Sequence, residues 1–119
     1  MQKNTGFGRV LKATFYSYKG LTYAFRHEAA FRQEAVCAAI LIPLAFWLEV
    51  GRIERLLLIN SVVLVLIAEL LNTGIEAVVD RIGLERHMLA GAAKDAGSAA
   101  VFLTLILCAF VWATILLGL

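Results

Sequence analysis

The sequence predicts an all-α integral membrane protein, three membrane-spanning helices preceded by an amphipathic surface helix. Hydrophobic residues fill 61% of the 119 positions and charged residues 17%, at a mean hydropathy of +0.83. A soluble domain of this length has too little interior to hide so much apolar side chain, so the excess must meet lipid. The second observation is residues 96–119, which carry no charge and exceed the roughly 20 residues that a helical span needs. The third is the placement of the basic residues, which is strongly one-sided.

The chain is expected to be a single membrane domain, 1–119, divided into a surface helix over 1–30 and spans over about 33–49, 54–82 and 92–118. In the first segment Phe7, Leu11, Thr14, Tyr18, Leu21, Thr22 and Phe25 cluster on one side of a helical wheel. Arg9, Lys12, Lys19 and Arg26 lie opposite or beside them. Basic residues against an aromatic apolar face suit a membrane surface, although a solvated helix packed on a partner would show the same pattern. Residues 35–48 are uncharged, with Glu34 and Glu49 at their ends and Pro43 expected to kink the helix. The apolar run 56–68 continues through Glu69, Asn72, Glu76 and Asp80 to Gly83, which reads as one long helix whose second half leaves the hydrocarbon. Residues 1–8 are polar and lack a signal-peptide core, so an inner-membrane-type protein is expected.

Lysines and arginines set the orientation. Lys3, Arg9, Lys12, Lys19, Arg26 and Arg32 precede the first span, and Arg81, Arg86 and Lys94 lie in the second loop. Only Arg52 and Arg55 lie in the first loop. The N-terminal helix and the 81–94 loop are therefore expected in the cytoplasm. A net charge of +2 gives no argument for nucleic acid, which is not expected as a partner. Cys37 and Cys108 sit in apolar runs without metal-ligand spacing and read as small buried hydrophobes.

The most informative pattern lies in the middle helix. At 100° per residue, Glu69, Asn72, Glu76 and Asp80 fall within an arc of about 80°, and Thr73 widens it to about 100°. Carboxylates at membrane depth are costly and mark a site that faces protein or water. Alternatively, they pair with Arg32, Arg81 or Lys94 to lock helices together, or line an ion path in a non-catalytic protein. Glu28 and Arg32 stand four residues apart before the first span, and Lys94 and Ser98 share a face where the third begins. Carboxylates are hard ligands for magnesium, which typically bridges one or two of them to substrate phosphates. A lysine near a helix start suits a phosphate. A poorly hydrated carboxylate nearer the bilayer suits proton abstraction from a lipid hydroxyl. No Gly-x4-Gly-Lys-[Ser/Thr] loop is present, so P-loop chemistry is not expected.

Three segments carry a resemblance: Glu28-Ala-Ala-Phe31-Arg32-Gln33-Glu34, Glu69-Leu-Leu-Asn72-Thr-Gly-Ile-Glu76-Ala-Val-Val-Asp80-Arg81, and Ala93-Lys94-Asp95-Ala-Gly-Ser98-Ala99-Ala100. Their order, spacing and Glu-x2-Asn-x3-Glu-x3-Asp pattern resemble the prokaryotic diacylglycerol kinase family, to which the undecaprenol kinases of Gram-positive bacteria are related. The resemblance implies a homotrimer in the bacterial inner membrane, with active sites shared between subunits. It also implies phosphorylation of diacylglycerol to phosphatidic acid by magnesium-ATP at the cytoplasmic face, recycling diacylglycerol into phospholipid synthesis. By the same resemblance Glu69 matches the catalytic base, and Glu28 and Glu76 match metal-linked carboxylates that also contact the nucleotide. Arg9, Tyr16, Glu85, Arg86, His87, Lys94 and Asp95 match further nucleotide contacts. Arg32, Gln33, Glu34, Trp47, Ser98 and Trp112 match the lipid site beside Glu69, with Asn72 and Asp80 in support. Trp47 and Trp112 would equally serve as interfacial anchors, and a lone loop histidine such as His87 is more often simply solvated.

Overall fold

A computed structural model describes residues 5–83 and 87–118. The described residues form four helices: α1 (Phe7–His27), α2 (Ala29–Trp47), α3 (Arg52–Ile82) and α4 (Met88–Leu117). The last three are long and apolar enough to cross a membrane. Glu85 and Arg86, both expected at the nucleotide, lie outside the described residues.

One residue separates α1 from α2. Glu28 takes extended backbone angles, φ −118° and ψ 109°, while its N–H donates to Ala24 O at 2.9 Å and its carbonyl accepts from Arg32 N at 3.1 Å. The carbonyls that end α1 have no helical partners of their own. Arg32 satisfies two of them, donating from Nη1 to Phe25 O (2.9 Å) and Arg26 O (3.1 Å). Glu28, read from the sequence as sharing a helix face with Arg32, therefore stands in the break between helices. Pro43 is carried inside α2 without interrupting it.

The turn between α2 and α3 is fastened by side chains. Arg55 donates from Nε to Ala45 O and from Nη2 to Leu48 O, both at 3.0 Å, and so closes the carbonyl end of α2. Glu54 Oε1 accepts from Gly51 N at 3.1 Å and ties down the first turn of α3. These contacts account for a basic residue in the loop poorest in positive charge. At the far end of the chain Gly118 ends α4 in the left-handed region, φ 70°, where a glycine meets no Cβ penalty.

α3 is the centre of the packing. Leu58, Val62, Val65, Glu69 and Asn72 are buried at alternating steps of four and three residues, the spacing of a coiled-coil seam. α2 meets that seam with Phe31, Ala38 and Ala45, one buried residue per heptad. On α4 only Gly97 is buried among the described residues. The outward faces are correspondingly apolar: Ile40, Phe46, Leu103 and Phe110 are 63–66% exposed. Apolar surface on this scale calls for lipid or neighbouring chains. Cys37, expected as a buried hydrophobe, is exposed on α2, and Cys108 is half-buried beside Ser61.

Candidate active site

The seam of α3 changes chemistry along its length. Leu58, Val62 and Val65 are followed, on the same face and at the same spacing, by Glu69, Asn72 and Glu76. Glu69 is 5% exposed and Asn72 8%. Close packing against α4 buries Asn72, since a Cβ at Gly97 would collide with Asn72 Oδ1 and stand 3.3 Å from its Cγ and 3.5 Å from Ile75 Cδ1. Pressed against α4, Asn72 donates from Nδ2 to Glu76 Oε1 at 3.1 Å and fixes that carboxylate.

Two pairs of carboxyl groups meet along this face. Glu34 of α2 lies within hydrogen-bond reach of Glu69, and Glu28 of the α1–α2 break lies within hydrogen-bond reach of Glu76. Burial, and then the facing Glu76 and Glu69, push the Glu28 carboxyl above its ordinary pKa. Among the described residues the ion pair present is Lys94 Nζ–Asp80 Oδ1, at 2.7 Å. Glu28, Glu34, Glu69 and Glu76 thus converge without forming an ion pair among the described residues. Among the described residues, locking helices together by a salt bridge therefore describes Asp80 alone, and Arg32 bonds the backbone of α1.

Orphaned polar atoms point the same way. Among the described residues, the buried side-chain oxygens without a hydrogen-bond partner are Glu34 Oε2, Asn72 Oδ1 and Thr73 Oγ1. Buried polar atoms in folded proteins are nearly always satisfied, so such a cluster marks where a ligand or another chain supplies the missing partners.

Beyond the carboxyl pairs, a cavity of about 720 Å3 opens between the end of α3 and the start of α4. Asp80, His87, Lys94 and Asp95 line it with small residues of α4. His87 caps α4, its Nδ1 accepting from Leu89 N at 3.1 Å, which leaves the proton of the neutral ring on Nε2.

The remaining sequence-derived residues are dispersed. Arg9 and Tyr16 are exposed on α1, Gln33 is exposed beside Glu34, and Ser98 is exposed next to Gly97. Trp47 ends α2 and is 79% exposed. Trp112 donates to Leu58 O at 3.2 Å, eleven residues and about 16 Å along α3 from Glu69. Both tryptophans thus sit toward the end of the bundle opposite the carboxyl pairs. What the sequence did not reveal is the pairing of Glu34 with Glu69, since it depends on how α2 crosses α3.

For a divalent cation the donor set is fitting but incomplete. Glu28 and Glu76 offer hard oxygens whose mutual repulsion a cation would relieve. Among the described residues no three His, Cys, Asp or Glu side chains form a ready ligand cluster. Two carboxylates awaiting phosphate oxygens match the way magnesium is usually held.

Fold and site together define a helical protein with three spans long and apolar enough for a membrane and a cluster of facing carboxyl groups toward one end of them. The chain belongs to the prokaryotic diacylglycerol kinase family, whose model matches residues 15–116. It is 54% identical over 112 residues to the diacylglycerol kinase of Escherichia coli K12, covering 94% of this chain and 92% of that protein. It is 53% identical over 116 residues to the diacylglycerol kinase of Haemophilus influenzae Rd, covering 98% of each. The diacylglycerol kinase of Pseudomonas aeruginosa PAO1 is 56% identical over 114 residues, 96% of this chain and 93% of that one.

Proposed function

We propose that the protein transfers the terminal phosphoryl group of ATP to the free hydroxyl of diacylglycerol, giving phosphatidic acid and returning the lipid to phospholipid synthesis. The observation that carries the reading is the pair of carboxyl tiers along α3, Glu34–Glu69 and Glu28–Glu76, which form no ion pair among the described residues.

The tiers divide the work by depth. Glu69 lies deeper in the bundle, against Glu34, and takes the proton as the lipid hydroxyl attacks. Glu28 and Glu76 hold the nucleotide end, about 10 Å along α3. Bound there, magnesium would neutralise the triphosphate charge. Asn72 keeps Glu76 oriented through its 3.1 Å hydrogen bond. Lys94 and Asp95 contact the phosphates and the rest of the nucleotide, with Arg9, Tyr16, Glu85, Arg86 and His87 as further nucleotide contacts. Arg32, Gln33, Ser98, Trp47 and Trp112 complete the lipid site, Arg32 acting through the end of α1 that it caps. Most of the rate comes from holding hydroxyl and phosphate in line in a site from which water is largely excluded.

The protein works in the bacterial inner membrane, with α1 lying on the cytoplasmic surface. It works as a homotrimer, which covers apolar faces such as that of Leu103 and Phe110. The test is lipid phosphorylation from labelled ATP by purified protein in mixed micelles, with diacylglycerol and undecaprenol offered in parallel. Magnesium-dependent phosphatidic acid is expected. Transfer to undecaprenol alone would overturn the substrate, and no transfer to either lipid would overturn the activity. Glu76→Gln should raise the magnesium requirement, and an unchanged requirement would remove Glu76 from the metal site.

A further inference from the structure

The ion pair between Lys94 and Asp80 has no part in the reaction as described above. The sequence places Asp80 one helical turn beyond Glu76 on the same face of α3. Lys94 rises from the first turns of α4 and meets Asp80 at 2.7 Å, with the Glu76 carboxylate also within its electrostatic reach. A lysine ammonium is a compact charge on a flexible stem, and a change in one or two torsions carries it between carboxylates one turn apart. Lys94 therefore bonds Asp80 while it also feels the charge of Glu76. If it paired with Glu76, a monovalent charge would sit where the divalent cation must bind, and Glu28 and Glu76 would lose their open coordination sites.

We propose that Asp80 is a positioning residue that holds the Lys94 ammonium off Glu76, keeping the Glu28–Glu76 pair open until a nucleotide draws Lys94 to its phosphates. The inference rests on the reading of Glu28 and Glu76 as the cation pair. Side-chain exposures of 44% for Lys94 and 56% for Asp80 suit such a holding contact. An exposed ion pair is weak, so the greater negative charge of a triphosphate displaces Asp80 readily. While Asp80 is present Glu76 is the weaker acceptor, because one of its oxygens already accepts from Asn72.

The experiment is manganese binding to the detergent-solubilised full-length protein, without nucleotide, read by electron paramagnetic resonance of the free ion. Asp80→Asn is expected to weaken manganese binding about tenfold, and Asp80→Glu to restore it to within about twofold. In a Lys94→Met background the Asp80→Asn change should have less than about a twofold effect, because no ammonium remains to fall onto Glu76. Unaltered binding in Asp80→Asn would overturn the proposal. So would equal weakening with and without Lys94, which would mean that Asp80 acts through its own charge. Glu76→Gln separates the two levels of inference. If it leaves manganese affinity unchanged, the cation pair itself is wrong and the proposal goes with it. If it abolishes binding while the Asp80 variants match the wild type, only the holding role is lost.

Discussion

The Asn72 amide oxygen occupies the space that a Cβ on Gly97 would need. α3 and α4 can approach this closely only because position 97 has no side chain, and the Asn72 amide held there donates to Glu76 one turn on. Gly97→Ala is expected to cost about 1–3 kcal/mol, as overpacking of a well-packed contact does, and to lower the thermal midpoint in micelles. Asn72→Ala in the same chain should recover part of that loss, a coupling that a double-mutant cycle measures, while activity stays impaired. Strict additivity of the two changes would mean that the contact does not govern packing here.

Glu69 stands at the deep tier, 5% exposed and against Glu34. Replacing a general base typically removes about 10²–10⁴-fold in rate. Glu69→Gln should show a fall of that order in kcat with helicity and oligomeric state unchanged. Substantial residual turnover would assign proton removal to another group.

Glu28 gives a pH signature. Its carboxyl is pushed above the ordinary pKa by burial and by the facing Glu76 and Glu69, so the folded chain holds this proton more tightly than the unfolded one. The associated stability is present below the unfolded pKa and is lost as pH rises through the raised, folded value. Without divalent cations the thermal midpoint should fall as pH rises through that raised value, and Glu28→Gln should flatten the fall. Magnesium should restore the midpoint on the alkaline side by taking the place of the proton. A wild-type profile identical to that of Glu28→Gln would count against this assignment.

At the other end of the bundle, Arg55 closes α2 through Ala45 O and Leu48 O. Arg55→Met leaves both carbonyls without this partner and should destabilise the protein by about 2 kcal/mol, on the scale of hydrogen bonds to a charged group. Thermal unfolding checks it; a midpoint equal to that of the wild type would show that solvent or lipid headgroups replace the arginine.

Much of the architecture was legible in the residue pattern. The long runs without charge announced three long apolar helices, because a backbone in lipid must satisfy itself internally. The phase of Glu69, Asn72, Glu76 and Asp80 announced one polar face. Contacts between helices were not legible. That Glu34 meets Glu69, and Glu28 meets Glu76, depends on a crossing of α2 and α3 and on a one-residue break, neither of which leaves a local signal. Nor were the helix-end roles of Arg32 and His87 legible: beside the ligand contacts that the resemblance implies for them, Arg32 bonds the last carbonyls of α1 and His87 caps the start of α4. Histidine is not among the residues that ordinarily announce a helix start.

The heptad spacing of α3 also sets which genetic changes the site tolerates. Because Leu58, Val62, Val65, Glu69, Asn72 and Glu76 share one seam, packing and chemistry are written in a single reading frame of helical phase. A side chain can be exchanged at one position and disturb only its neighbours. One residue inserted between Val65 and Glu69 would rotate everything beyond it by about 100°, turning the carboxylates off the seam while leaving hydropathy almost untouched. Insertions and deletions, rather than substitutions, are the changes this enzyme can least absorb.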